Sequence, residues 1–67
     1  MKLLDHLIED YGFKNDRQIA LYTVISTGTI SKIRKGKLKP SASVIIKIHE
    51  KLGMSISEIK DLINKKS

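Results

Sequence analysis

Residues 15–39, NDRQIALYTVISTGTISKIRKGKLK, read as two short helices joined by a tight turn and followed by a basic tail. Asn15 is placed to cap the first helix, with Gln18 three residues on to complete the reciprocal pairing of a capping box. Over a helix from about Asp16 to Tyr22, Ile19, Ala20 and Thr23 are predicted to face inward, and the small Ala20 lets a second helix pass close by. Ser26 offers the next N-cap, Ile30 and Ile33 give that helix an apolar edge at i, i+3, and Gly36 is placed to stop it in the left-handed conformation. The turn Thr23-Val24-Ile25 has no glycine to relieve a positive φ, so either it uses only negative φ or Val24 carries strain. The outward face of the second helix carries Thr27, Gly28, Ser31, Lys32 and Lys35, with no acidic residue. A short helix with a small, polar, basic face suits the major groove of DNA.

The charge pattern of the whole chain points the same way. In 67 residues the formal net charge is +6. Between Arg17 and His49 there is no Asp or Glu, while Lys32, Arg34, Lys35, Lys37 and Lys39 crowd into one segment. The acidic residues lie toward the ends: Asp5, Glu9, Asp10 and Asp16 early, Glu50, Glu58 and Asp61 late. Such segregation favours a polyanionic partner over a merely solvated face.

Outside this segment the chain reads as more helix. Leu4, Leu7, Ile8 and Tyr11 recur at helical spacing before Gly12, with His6 facing solvent and Asp5 and Glu9 forming a solvated like-charge pair. Phe13 is read as core. After Gly36, Pro40 holds Lys37-Leu38-Lys39 extended, with Leu38 tucked under and the lysines out. Ser41 caps a helix to about Leu52 whose inward residues are Val44 or Ile45, Ile48 and Leu52; His49 is read as a partly buried structural histidine. Ser55 and Glu58 form a second capping-box pattern, opening a last helix with Ile59, Leu62 and Ile63 and with Lys65 and Lys66 at its C-terminal end.

The segment also resembles the helix-turn-helix of the phage Cro and repressor family of bacterial regulators. The matching features are Ala20 in the first helix, Ile25 entering the second and Ile30-Ser31-Lys32-Ile33-Arg34-Lys35-Gly36 closing it. Pro40-Ser41, Leu52-Gly53-Met54-Ser55 and Ile59 extend the resemblance over roughly residues 13 to 63. Two positions depart from it: Val24 stands where the turn usually has Gly, and Arg34 where an acidic residue is frequent, which makes this surface more basic. The resemblance implies an all-α, compact five-helix bundle of the lambda repressor kind, and places base-reading positions on Thr27, Gly28 and Lys32, with Ser31 close enough to assist. Phosphate contacts are expected from Arg17, Gln18, Ser26, Thr29, Lys35, Lys37 and Lys39.

One domain over residues 1–67 is expected, with no room for a further sensing or oligomerisation domain. There is no cysteine, His6 and His49 are far apart, and no catalytic set or phosphate-binding loop is present, so no enzyme, cofactor or metal is expected. No apolar run approaches a membrane span and no signal peptide precedes the helical pattern, which reads as a cytoplasmic chain. The favoured function is a sequence-specific double-stranded DNA-binding regulator, a Cro-like repressor that binds a palindromic operator as a homodimer. The alternatives are an antitoxin of the same fold that also binds a toxin, and a protein-interaction module with no DNA target.

Overall fold

In a computed structural model that describes residues 1–65, the chain folds as α1 (Leu3–Tyr11), α2 (Asp16–Thr23), α3 (Thr27–Arg34), α4 (Ala42–Leu52) and α5 (Ile56–Asn64). No strand occurs among the described residues. Each of the last four helices starts on a side-chain cap. Asn15 Oδ1 accepts from the Gln18 N–H at 2.9 Å, Ser26 Oγ from Thr29 at 3.1 Å, Ser41 Oγ from Val44 at 3.4 Å and Ser55 Oγ from Glu58 at 3.1 Å. The return half of the Asn15 box differs from expectation. Gln18 Oε1 accepts from the Lys14 N–H at 3.0 Å, one residue before the cap.

The α3 terminus is a complete Schellman motif: Gly36 donates to Ile33 O at 3.1 Å and Lys37 to Lys32 O at 2.9 Å. Gly36 takes φ 75°, as its position predicts. The α2–α3 turn resolves the other way from the negative-φ option. Val24 sits at φ 59° and ψ 38°, the one non-glycine residue with positive φ among those described. For a β-branched side chain this region costs about 1–2 kcal/mol. Three contacts hold it there. The N–H groups of Val24 and Ile25 both donate to Ala20 O, and Lys47 Nζ of α4 donates to Val24 O at 3.3 Å.

The core is aliphatic. Leu3, Leu7, Ile19, Ile30, Ile33, Ile48, Met54 and Ile59 are fully buried, and Ala20 is buried with them. Thr23 is also buried, and its hydroxyl donates to Ile19 O at 2.6 Å, which satisfies it within its own helix. Helix pairs α2–α3, α4–α5, α2–α4, α1–α5 and α1–α2 pack around these side chains in a body 25 × 23 × 23 Å.

Several expected positions move. Tyr11, predicted to line the inner stripe of α1, is exposed, and Leu3 takes a core place instead, because α1 begins at Leu3 and turns that end against α5. Of the paired options on α4, Val44 is buried and Ile45 half-buried. Leu38 does not tuck under: it is 44% exposed. His49 is exposed rather than partly buried, although its Nδ1 bonds Met54 O, which fixes that nitrogen as the donor. His6 is not free in solvent: its Nδ1 lies 2.6 Å from Asp10 Oδ2. Phe13 is half-buried, edge-on to Tyr22 with centroids 5.6 Å apart. Lys65 occupies the C-cap of α5; Lys66 lies outside the described residues.

Candidate nucleic-acid interface

The surface of interest is built on α3. Its two buried residues, Ile30 and Ile33, pin one side to the core, and the 3.6-residue period then turns Thr27, Gly28, Lys32 and Lys35 outward. All four are exposed, and Ser31 between them is half-buried. Gly28 is not required by the fold. A Cβ placed there would meet nothing within 4 Å beyond its chain neighbours and its own helix backbone, and the residue is ordinary helix with no positive φ. A glycine inside a helix costs about 1 kcal/mol relative to alanine, so an internal packing reason is missing for it.

Ser26 and Thr29 are drawn together at the start of α3. Their hydroxyl oxygens lie 2.7 Å apart, and Ser26 Oγ also accepts from the Thr29 N–H. Both hydroxyl groups are thereby engaged in the cap, Ser26 exposed and Thr29 half-buried. Beyond the other end of α3, Lys37 and Lys39 are exposed on the loop, which continues the basic edge begun by Lys32 and Lys35.

A shallow groove runs between α2 and α3, lined by Asp16, Arg17, Leu21, Thr27, Ser31 and Arg34. It brings Arg17 of α2 to the same hollow as Thr27 and Ser31. Gln18 is exposed beside it, with its carbonyl oxygen committed to Lys14. Leu21 was not among the predicted site residues, yet it is 67% exposed in this groove. Its signal in the sequence is its place at i+4 from Arg17, off the inward face made by Ile19, Ala20 and Thr23.

Arg34 corrects the charge reading. It was expected to add positive charge to the outward surface. Instead its Nη2 donates to Asp16 Oδ1 at 2.7 Å, its Nε to Asp16 Oδ2 at 3.0 Å, and its Nη1 to Asp5 Oδ1. The bonds to Asp16 and then Asp5 raise the guanidinium pKa further above its ordinary range, and Arg34 in turn holds the Asp5 carboxyl below its ordinary value. The arrangement also changes Asp16 and Asp5. Asp16, which would repel a phosphate at the start of α2, faces a guanidinium, and Asp5 leaves the solvated pair proposed with Glu9. The outward face of α3 keeps Lys32 and Lys35, while the charge of Arg34 is balanced on the side toward α1 and α2.

Among the described residues no His, Cys, Asp or Glu group is arranged to hold a metal ion, and no helix is long and apolar enough to cross a membrane. Residues 9–59 match a family model described as helix-turn-helix, from the end of α1 to the first turn of α5. No curated protein and no solved structure matches the chain.

Proposed function

Since the chain belongs to the helix-turn-helix family of DNA-binding regulators, we propose that it is a sequence-specific transcriptional repressor of the Cro kind, acting as one cytoplasmic domain over residues 1–67 on a palindromic operator. The observation that carries this reading is the outward face of α3: exposed Thr27, Gly28 and Lys32, on a helix that has no acidic residue of its own.

In this reading α3 lies in the major groove with its first turn leading. Thr27 offers a hydroxyl to a base edge or its methyl to a thymine, and Lys32 donates to guanine O6 and N7, with Ser31 assisting. Gly28 lets the helix backbone approach the bases. Arg17, Gln18, Lys35, Lys37 and Lys39 meet phosphates on either side, joined by the cap residues Ser26 and Thr29 through backbone or hydroxyl contacts. Leu21 adds an apolar contact at the edge of the groove.

Two copies on a two-fold site supply affinity and specificity that one small module lacks. Val24, Ile46 and Ile56 are exposed apolar residues available to such an assembly, while Ile63 is half-buried against the core. Selection from random duplex DNA tests the proposal. A palindromic consensus is expected, and no enrichment above the starting pool would sink it. Sedimentation equilibrium of the resulting complex should give two chains per operator; one chain per operator would defeat the dimer.

A further inference from the structure

A second groove, of about 630 Å³, opens beside the end of α3 and is bounded by the loop after it and by α1, α4 and α5. Its floor is apolar. Leu4 and Ile33 come from the core, Ile45 and Ile63 are half-buried against it, and Leu38 stands exposed at the edge. Its rim is cationic: Lys35 and Lys39 on the loop side and Lys60 on α5 are all exposed. Arg34 also borders it, but its guanidinium is bound to Asp5 and Asp16. No Asp or Glu lines the groove.

DNA does not account for this surface. A duplex offers phosphates to Lys35 and Lys39 but nothing apolar to cover Leu38, Ile45 and Ile63. Lys60 belongs to α5, which packs on α1 and α4. We propose that the groove docks an acidic amphipathic segment of a protein partner. Apolar side chains at i and i+3 or i+4 seat over Leu38, Ile45 and Ile63, and flanking carboxylates meet Lys35, Lys39 and Lys60. Charge complementarity selects this occupant. The groove is lined by three exposed lysines carried on two elements, the α3 end with its loop and α5, so it calls for several carboxylates, which a single-headed amphiphile does not supply. A second copy of this chain brings a net charge of +6 to an already basic rim. Because Lys35 and Lys39 are also the proposed phosphate contacts, the partner displaces operator DNA; that consequence, unlike the docking, rests on the DNA reading.

The test uses the full chain without DNA and a fluorescent helix-forming peptide of about 14 residues, with Leu at i, i+3 and i+7 and Glu on both flanks. Saturable binding is expected, with amide shifts concentrated at Leu38, Ile45 and Ile63. Leu38→Ser should weaken it about tenfold and Lys60→Glu roughly threefold. Both side chains are exposed, so an unchanged far-ultraviolet spectrum and melting curve are expected of the variants. Equal binding of a Gln-for-Glu peptide, shifts elsewhere, or indifference to both substitutions overturns the proposal. So does decanoate shifting these residues where the peptide fails, which gives the groove to a small amphiphile. Self-association abolished by Leu38→Ser gives it to a second copy and overturns it equally. With the selected DNA added, peptide that binds without displacing the duplex removes the competition and leaves the docking intact. Docking with no DNA binding at all fails the repressor reading alone.

Discussion

Arg34 faces Asp16 with two parallel hydrogen bonds, Nε to Oδ2 at 3.0 Å and Nη2 to Oδ1 at 2.7 Å, across the α2–α3 junction. Its third contact, to Asp5, ties the same guanidinium to α1. One side chain of α3 therefore joins three helices. Arg34→Ala should destabilise the fold by about 1 kcal/mol in urea titration, a value kept small because the Arg34 side chain is 35% exposed and solvent screens it. It also leaves Asp5 and Asp16 without their countercharge, so the loss should be smaller in high salt, where the native pairs are weaker too. A loss that does not change with salt would mean that packing of the side chain matters and its charge does not.

Asp5 gives this network a pH signature. Its carboxyl is held below its ordinary value of 3.8, first by the hydrogen bond from Arg34, which outweighs the desolvation that opposes it, and then by the charges of Arg34, Lys2 and the N-terminal ammonium. A depressed folded-state pKa means that the unfolded chain binds more protons. The stabilisation is fully present above the unfolded value and is lost as pH falls through the folded one. Melting temperature should therefore drop as pH falls through the ordinary carboxylate value and below it, and Asp5→Asn should flatten part of that drop. Identical acid limbs in the two proteins would remove Asp5 from the account.

Val24 offers a gain rather than a loss. It is 63% exposed, so replacing it removes little packing, while glycine releases the positive φ. Against about 1–2 kcal/mol of left-handed strain stands roughly 0.5–1 kcal/mol of added chain entropy. Val24→Gly should raise stability by roughly 0.5–1 kcal/mol in chemical denaturation. A clear decrease would show that the Val24 side chain makes a contact worth more than its strain.

The features legible in the sequence are those set by neighbours a few residues away. The caps at Asn15, Ser26, Ser41 and Ser55, the stop at Gly36 and the outward arc of α3 follow from local hydrogen bonding and helical period. What was not legible depends on distant partners. Arg34 reads as one more cation in a basic run, because Asp16 and Asp5 lie 18 and 29 residues away. Leu38 and Tyr11 have the polarity of core residues, yet no helix comes to cover them. The turn at Val24 was an open choice in the sequence, since the bonds to Ala20 and Lys47 that hold its φ belong to the assembled fold. For the candidate interface, the α3 residues were legible, but the meeting of Leu21 and Arg17 with Thr27 needed the packing of α2 on α3.

Gly28 should separate folding from binding. With nothing within 4 Å of its absent Cβ beyond its chain neighbours and its own helix backbone, Gly28→Ala should stabilise the protein by about 0.5–1 kcal/mol, the ordinary helix preference for alanine. If the α3 backbone lies against the bases, the same methyl should weaken operator binding measured by anisotropy. A variant that is more stable and binds equally well would show that the helix does not approach closely at this point.

Lys35, Lys37 and Lys39 surround the end of α3 and its loop, where a duplex backbone passes in the proposed docking, and all three are exposed. Alanine at each should weaken selected and random DNA about equally and reduce the salt slope by roughly 1. If none of the three changes that slope, the loop is not at the DNA.

Lys32 should behave differently, although it is also an exposed lysine on the same helix. It lies one turn beyond Gly28, on the arc that faces away from Ile30 and Ile33, so in the groove its ammonium reaches base edges rather than the flanking backbone. Lysine donates well to guanine O6 and N7, and the wrong base leaves that donor without its acceptors. Lys32→Ala should cost roughly 1–3 kcal/mol on the selected site and relax discrimination at one base pair per half-site. Both effects are read from a binding series in which each base pair is replaced in turn. The comparison with Lys35→Ala under the same salt separates the two roles, because a phosphate contact lowers every affinity while a base contact lowers only those of the preferred sequences. Equal losses on every duplex, with the consensus otherwise intact, would assign Lys32 to the backbone and leave Thr27 as the principal reader.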